Sequence, residues 1–125
     1  MPRRWWLAAL VPAMGAMPPA AGADLQGDAA MLQALDKITA RVSTIVAPIN
    51  QTVSFGGLRI TARACRKRPP EEPPESTAFL EIDVLRPGES KPERQFTGWM
   101  FASSPAVSAM EHPVYDVWVI DCRVG

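Results

Sequence analysis

The fold class of this chain is decided by the stretch Gly56-Gly57-Leu58-Arg59-Ile60-Thr61-Ala62-Arg63-Ala64-Cys65. Alternate positions in it are apolar: Leu58, Ile60, Ala62 and Ala64. The positions between them are polar: Arg59, Thr61 and Arg63. Because successive side chains of a β-strand point to opposite faces, this alternation predicts a strand with one face in a core and the other in water. The pair Gly56-Gly57 is a two-residue hairpin signal, which predicts an antiparallel partner strand just before it.

Further runs have the composition of strands, with β-branched, aromatic and aliphatic residues between turn-forming segments. They cover 41–46, 53–55, 77–85, 95–101 and 114–122. The last run is apolar on both sides, which indicates a strand in the interior of a sheet. Five to six short strands separated by turns predict a single, mainly β domain over residues 41–125, built as a small antiparallel β-sandwich or barrel.

Two short helices are expected beside these strands. Apolar residues in the lead-in 24–40 have helical spacing and predict a short amphipathic helix: Met31, Leu32, Leu35 and Ile38. Ser104 followed by Pro105 is typical of a helix start, with a hydroxyl residue at the N-cap and proline at the first helical position. We predict the second helix from Pro105 to about Met110, because Pro113 follows.

The first 23 residues have the three parts of an export signal. Arg3 and Arg4 precede 19 uncharged residues, which end in the small residues Ala21-Gly22-Ala23. This order predicts a signal peptide over 1–23, cleaved after Ala23, and a mature chain that is not inserted in the membrane. The alternative is an uncleaved anchor, because 19 residues approach the roughly 20 that span a bilayer. Three prolines weaken that alternative: Pro12, Pro18 and Pro19.

The charge balance argues against two classes of partner. The chain has 13 Lys+Arg and 13 Asp+Glu, and loss of the leader removes two arginines, which leaves a formal charge of −2. A near-neutral surface has no excess positive field, so we expect neither nucleic acid nor an anionic bilayer as a partner. The mature part is one small domain, which buries a modest share of its surface and would gain from a covalent crosslink.

Cys65 and Cys122 are the two cysteines of the chain, and both follow predicted strands. In an oxidising compartment such a pair is expected to form a disulfide. Two separate buried thiols are the alternative. Redox catalysis is not favoured, because no Cys-x-x-Cys arrangement is present to lower the pKa of a thiol.

Residues that suggest catalysis are few. Ser103, Ser104 or Ser108 with His112 and Asp116 supply the residue types of a hydrolase, but no Gly-x-Ser-x-Gly turn is present. One histidine and two paired cysteines do not make a zinc site. We therefore expect no catalytic residues, no metal site and no cofactor, and we predict that the protein is not an enzyme.

Two segments are candidate surfaces for a partner or ligand. Residues 66–75 contain four prolines and six charges, so they are expected to leave the sheet as an extended segment, either a stiff recognition arm or a solvated loop. The candidate contact residues there are Arg66, Arg68, Pro70 and Glu72. Aromatic residues nearer the C-terminus are the other candidates, in the core or exposed: Trp99, Phe101 and Trp118. Trp99 precedes Met100 directly, so these two side chains are predicted to face opposite sides of their strand.

Several blocks of the sequence resemble an exported alphaproteobacterial envelope family, domain of unknown function 2155. These blocks are residues 35–44, 63–75, 98–106 and 112–118. The resemblance extends over roughly 35–122, nearly the whole mature chain, and both cysteines lie within it, which agrees with a disulfide. It implies a bacterial, exported protein, and it carries no activity or catalytic residues.

Three functions remain open at this point. We favour a non-enzymatic periplasmic module that binds or stabilises an envelope protein complex through the proline segment or an aromatic face. The alternative is a small-ligand or lipid-binding β-sandwich in which Trp99, Phe101 and Trp118 line a cavity. A hydrolase centred on His112 is the least favoured. The sequence does not define the oligomeric state.

Overall fold

Nine β-strands and one four-residue helix are found in residues 23–125, the part of the chain that the computed structural model describes. The strands are β1 Leu25–Gln26, β2 Ala29–Asp36, β3 Arg41–Pro48, β4 Thr52–Phe55, β5 Leu58–Lys67, β6 Ser76–Val84, β7 Glu93–Phe101, β8 Met110–Glu111 and β9 Tyr115–Arg123, with α1 Pro105–Ser108. The signal peptide over 1–23 lies outside the described residues except for Ala23, so it stays a prediction. Within the described part, no helix is long and apolar enough to cross a bilayer.

The strands form two antiparallel sheets. Sheet A has β5, β6 and β7 side by side, and β1 and β4 both pair with the other side of β5. Sheet B has the order β3-β2-β9-β8. The predicted antiparallel β-sandwich is confirmed, and the hairpin at Gly56-Gly57 joins β4 to β5, with Phe55 opposite Leu58. The strand count exceeds five to six because β2 and the two-residue strands β1 and β8 were not predicted.

The core lies between the sheets and consists almost entirely of aliphatic side chains. Alternate residues of β6 face it, as predicted: Ala78, Leu80, Ile82 and Val84. Sheet B supplies other fully buried side chains, among them Leu32, Val117 and Val119. The last strand, β9, pairs with β2 along its length, but β8 pairs with it only at Asp116 and Val117, so the predicted place in a sheet interior holds for the first part of the strand and not for the rest.

The amphipathic helix predicted within 24–40 is wrong, because the structure has β1 and β2 there. The core-facing residues of β2 are spaced by two: Ala30, Leu32 and Ala34. Ile38, the last position of the supposed helical face, is 76% exposed in the turn after β2. β2 has no β-branched residue, and its composition favours a helix. Pairing with β3 and with β9 outweighs that preference, because it satisfies the backbone of β2 on both sides.

The second predicted helix is present but shorter than expected. It ends at Ser108, because Met110 and Glu111 pair with β9 as strand β8. Pro105 occupies the first turn of α1, as predicted. Ser104 is at the N-cap, but its side chain makes no capping hydrogen bond, so the hydroxyl does not determine where the helix starts.

A β-bulge in each of two strands turns the cysteines toward the core. In β5, Arg63 has no partner in β6, so the residues after it change faces. The prediction that Ala64 faces the core is therefore wrong, and Cys65 takes the buried position instead. In β9, Ile120 has no partner in β2, and Cys122 turns inward in the same way. The predicted disulfide joins the two sheets, with the two Cα atoms 5.7 Å apart.

The chain passes from one sheet to the other beside this disulfide. Gly27 separates β1 in sheet A from β2 in sheet B, and its N–H donates to Cys65 O at 2.7 Å. The next N–H, of Asp28, donates to Arg123 O at 2.8 Å in sheet B. A β-carbon at position 27 would lie 3.0 Å from the β-carbon of Cys122. A side chain at position 27 would therefore crowd the passage of the chain from one sheet to the other.

Candidate functional site

The outer face of sheet A has a cluster that we call the aromatic patch: Arg66, Phe79, Trp99 and Phe101. Phe79 in β6 pairs with Trp99 in β7, and their rings meet edge to face with centroids 5.4 Å apart. The guanidinium carbon of Arg66 lies 5.5 Å from the centroid of the Trp99 ring, within cation–π range. Phe101 follows two residues after Trp99, so it extends the patch on the same face.

The aromatic patch is open to solvent in the described part of the chain. Trp99 is 39% exposed and Phe101 is 43% exposed, whereas Met100 between them is fully buried. The predicted opposition of Trp99 and Met100 is thus confirmed. Of the two interpretations left open for these aromatic residues, the exposed surface applies to Trp99 and Phe101. Adjacent exposed rings are typical of a binding surface.

Ion pairs cover the same face of sheet A next to the aromatic patch. The Arg63 guanidinium lies 2.6 Å from the Glu81 carboxylate, and the Arg94 guanidinium contacts both Glu81 and Asp83. The hydrogen bond from Arg63, helped by the charge of Arg94, holds the pKa of Glu81 below its ordinary value. The hydrogen bond to Asp83 likewise raises the pKa of Arg94. These four charges neutralise one another next to the aromatic patch.

Trp118 lies on the other side of the molecule. It belongs to β9, pairs with Gln33 of β2, and is half-buried on the outer face of sheet B. The prediction that Trp99, Phe101 and Trp118 line one cavity is therefore wrong, because the core of the sandwich separates the third residue from the first two. Because β9 is apolar on both sides, its sequence alone does not show that Trp118 faces outward.

The prolines lie in the loop that joins β5 to β6, residues 68–75. Arg66 and Lys67 were expected to leave the sheet, but they are the last residues of β5 and pair with both β6 and β1. Within the loop, Glu72 N–H donates to Pro69 O at 3.1 Å. Pro69 is buried, so the loop folds back onto the domain and does not project as an extended arm.

Glu75 fastens this loop to the turn after β7. Its carboxylate accepts hydrogen bonds from the N–H groups of Ser76 and Ser103, each at 3.0 Å, and from the Ser103 hydroxyl. Its backbone oxygen accepts the Arg68 N–H at 3.0 Å. Burial raises the pKa of Glu75, but the hydrogen bonds from Ser103 and Ser76 and the charge of Arg68 outweigh it. The pKa therefore lies below its ordinary value of 4.5, and the carboxylate that holds the loop is ionised near neutral pH.

Asp121 connects the base of the loop to the end of β9. Its carboxylate accepts the Cys122 N–H at 2.8 Å and the Ser76 hydroxyl at 3.2 Å, and the Lys67 ammonium lies 3.1 Å away. Burial raises the pKa of Asp121, but the bonds from Lys67, Cys122 and Ser76 more than offset it, so the pKa lies below its ordinary value. Two ionised carboxylates thus hold this end of the sandwich together.

An open cleft of about 700 Å³ lies between the loop and the end of β9. Most of its apolar lining comes from the loop prolines and from residues at the two ends of the described chain: Leu25, Pro69, Pro70, Pro74, Ile120 and Val124. Arg68 and Glu72 are on its wall with Pro70. The volume is that of a typical small-molecule site. The seven predicted surface residues therefore fall into three separate places: the cleft, the aromatic patch and the outer face of sheet B.

Sequence reasoning missed three residues of these surfaces: Phe79, Glu75 and Asp121. Phe79 had a usable signal, because the alternation in β6 places it on the same outward face as Glu81. Glu75 and Asp121 had none, since Ser103 is 28 residues from Glu75 and Ser76 is 45 residues from Asp121.

Four of the side chains named for a hydrolase have other partners: Ser103, Ser108, His112 and Asp116. The Ser108 hydroxyl donates to the backbone oxygen of Ser104 at 3.0 Å, and Nδ1 of His112 accepts the Val114 N–H at 3.0 Å. The Asp116 carboxylate lies 2.9 Å from the Lys37 ammonium. The described hydrogen bonds therefore do not join a serine, the histidine and this aspartate in one chain. Residues 23–125 also contain no group of three or more side chains placed to hold a metal ion.

Comparisons with known proteins match most of the described domain. A family described as "Uncharacterized protein conserved in bacteria (DUF2155)" matches residues 30–122, from β2 to Cys122 in β9. An uncharacterised protein of Rickettsia prowazekii (strain Madrid E), RP359, is 32% identical over 89 residues, which cover 71% of this chain and 57% of that protein. The chain therefore matches little more than half the length of this relative. No solved structure matches it with comparable significance.

Proposed function

The chain belongs to the bacterial family described as DUF2155, and from this premise we propose that it is a non-enzymatic periplasmic module that binds or stabilises a protein complex of the envelope. Two features support the location. The first 23 residues have the pattern of an export signal, and a disulfide between Cys65 and Cys122 persists in an oxidising compartment.

The aromatic patch carries this proposal. Tryptophan and arginine are over-represented among the residues that dominate binding free energy at protein interfaces. The Trp99 ring contacts Phe79 edge to face and lies within cation–π range of the Arg66 guanidinium. Because these contacts already restrict the rings, a partner that covers them removes little further side-chain freedom. We therefore assign Trp99 and Phe101 as the contacts that enter an apolar recess of the partner.

The surroundings of the aromatic patch favour a protein as the partner. The neighbouring arginines, Arg63 and Arg94, are paired with carboxylates, so their charges are compensated locally and do not single out a polyanion as the partner. Arg66 keeps hydrogen-bond donors at the rim of the patch. A protein surface with an apolar recess and a carbonyl or carboxylate beside it is complementary to this arrangement.

Photo-crosslinking in living cells tests this function. A photoreactive amino acid at position 101 is expected to form a covalent adduct with a specific envelope protein on irradiation. The same amino acid at position 38, which is also highly exposed but lies in the turn between β2 and β3, is the matched control and should give no such adduct. Trp99→Ala is expected to lower the adduct from position 101 by about tenfold or more, as for a central interface residue.

Adducts of equal strength from positions 38 and 101 would contradict this function. So would an adduct from position 101 that Trp99→Ala leaves unchanged. The urea midpoint of Trp99→Ala, measured in parallel, should show a folded chain that is less stable by about 1 kcal/mol, because the variant loses the cross-strand contact with Phe79 and leaves the core intact.

The cleft supports a second candidate function, the binding of a small apolar ligand or lipid. It replaces the cavity expected from Trp99, Phe101 and Trp118, and it has an apolar lining together with the charged groups of Arg68 and Glu72. Native mass spectrometry of protein purified from its own envelope should then show an added small mass. Ile120→Asp, which puts a charge on the lining, should remove that mass, whereas a chain that is always ligand-free would exclude this alternative.

A further inference from the structure

We propose that two copies of this chain associate through the open edge of β3 to form a symmetric dimer. This surface is separate from the aromatic patch, and the dimer does not depend on the function proposed for that patch. β3 pairs with β2 on one side, and within residues 23–125 no strand pairs with its other side. Backbone N–H and C=O groups along its eight residues therefore point away from the sheet without a strand partner.

The outer strand of sheet A, β7, has features that block pairing, and β3 lacks them. β7, the outer strand of sheet A, begins with Glu93 and Arg94, has a bulge at Gln95, and is covered at its end by α1. Charges, bulges and covering elements are the usual means by which proteins prevent edge-to-edge contact. β3 has a single charge at its first residue, Arg41, no bulge in its pairing with β2, and no proline until Pro48.

The outward side chains of β3 form an apolar strip that stops at the open edge. Val42 is 54% exposed and Val46 is 39% exposed. Their partners in β2, Leu35 and Met31, are half-buried on the same outer face of sheet B. A further strand beside β3 would bury the exposed part of both valines and continue the strip.

A second copy of β3 fits this edge in a favourable register. When two copies pair antiparallel about Thr44, Val42 of each copy lies opposite Val46 of the other. The one charge of the strand, Arg41, lies opposite Ala47 and not opposite its own copy. β-Branched cross-strand pairs stabilise a sheet, and like charges placed opposite each other destabilise it. This register contains the Val42–Val46 pair twice and places no like charges opposite each other.

Pairing of two β3 strands about a two-fold axis leaves neither of them open to a third copy. A two-fold axis at Thr44 uses the open edges of both copies at once and joins the two four-stranded sheets B into one sheet of eight strands. Because the two-fold pairing occupies the open edge of β3 in both copies, no β3 edge is left for a third copy. Association through β3 is therefore expected to stop at two copies.

Measurement of the mass of the full chain in solution tests the dimer, by sedimentation equilibrium under oxidising conditions. The wild type should have the mass of two chains, each 13.6 kDa before any processing. Thr44→Lys places two ammonium groups opposite each other at the axis and should raise the dimer Kd by about tenfold or more. Thr39→Lys adds the same charge at an exposed threonine in the turn between β2 and β3, and it should remain dimeric.

Mixing Thr44→Lys with Thr44→Glu should restore the dimer, because opposite charges then meet at the axis. This rescue distinguishes a change of pairing from a loss of folding, and Thr44→Glu alone gives a second repulsive variant. A wild type that stays monomeric at the highest concentration reached would overturn the dimer, as would a Thr44→Lys chain that dimerises as tightly as the wild type. A stoichiometric complex with a different protein that Thr44→Lys abolishes would also overturn it, and would assign the edge to that protein.

Discussion

Reduction of the disulfide between Cys65 and Cys122 is expected to lower the free energy of unfolding by about 4 kcal/mol. The two residues are 57 positions apart in the chain. For a closed loop of this length, the loss of chain entropy in the unfolded state is about 14 cal/mol/K, which is about 4 kcal/mol at 25 °C. That is a large part of the roughly 5–15 kcal/mol by which a domain is usually stable.

The native structure offers no reason to expect a smaller effect. Both cysteines are buried on the core face, one in each sheet, and their Cα atoms are 5.7 Å apart, which is the usual separation for a disulfide. Reduction leaves the two sheets held by core packing and by the passage of the chain at Gly27. The fold is therefore expected to survive reduction with a lower stability.

Urea unfolding followed by tryptophan fluorescence, with and without reductant, measures this change. With a slope of about 1.3 kcal/mol/M for a domain of this size, the midpoint should fall by about 3 M on reduction. The matched control is C65A/C122A, since alanine removes the sulfur without burying a hydroxyl, and its midpoint should not respond to reductant. A wild-type shift below about 1 M, or an equal shift in C65A/C122A, would refute the reasoning.

Three further changes test other parts of the structure. Gly27→Ala places a β-carbon 3.0 Å from that of Cys122 and 3.1 Å from Arg123 O, so it should destabilise the domain by about 1–3 kcal/mol; an unchanged Tm would contradict this close approach. Tyr115→Phe removes the phenol oxygen that accepts the Gly57 N–H at 3.1 Å and should cost about 1 kcal/mol in urea unfolding, with Ile38→Ala as the neutral control. In the folded state the pKa values of Glu75 and Asp121 lie below their ordinary values of 4.5 and 3.8. The two carboxylates therefore stabilise the fold at pH values above these ordinary pKa values, and this stabilisation is lost as the pH falls through the folded-state pKa values. The Tm should therefore drop in acid, and Glu75→Gln should drop less than the wild type does; equal drops would argue against the role of Glu75.

Strands that alternate apolar and polar residues, or that are rich in β-branched and aromatic residues, could be predicted from the sequence, whereas β2 could not. β5 and β6 alternate apolar and charged residues, because each faces both the core and the solvent. β2 has small and unbranched residues and is paired on both sides, so its strand character comes from β3 and β9 and not from its own composition. The bulges at Arg63 and Ile120 could not be predicted either, because a bulge depends on the register with a neighbouring strand.

Some features of the candidate surfaces could likewise be predicted from the sequence, and others could not. The opposite directions of Trp99 and Met100 could be predicted from their adjacent places in a strand, but not which of the two fills the core. The direction of Trp118 could not, because β9 is apolar on both sides. The cleft depends on contacts between residues far apart in the chain, such as those of Glu75 with Ser103, and no local pattern of prolines indicates that a loop folds back.

The two bulges limit how chains of this family can vary in length. Deletion of Arg63 or Ile120 would return its strand to strict alternation and turn one sulfur toward the solvent while the other stays inside. The exposed thiol could then crosslink separate molecules. Insertions and deletions are therefore expected in the exposed connector 86–92 between β6 and β7, and not inside the two strands that hold the cysteines.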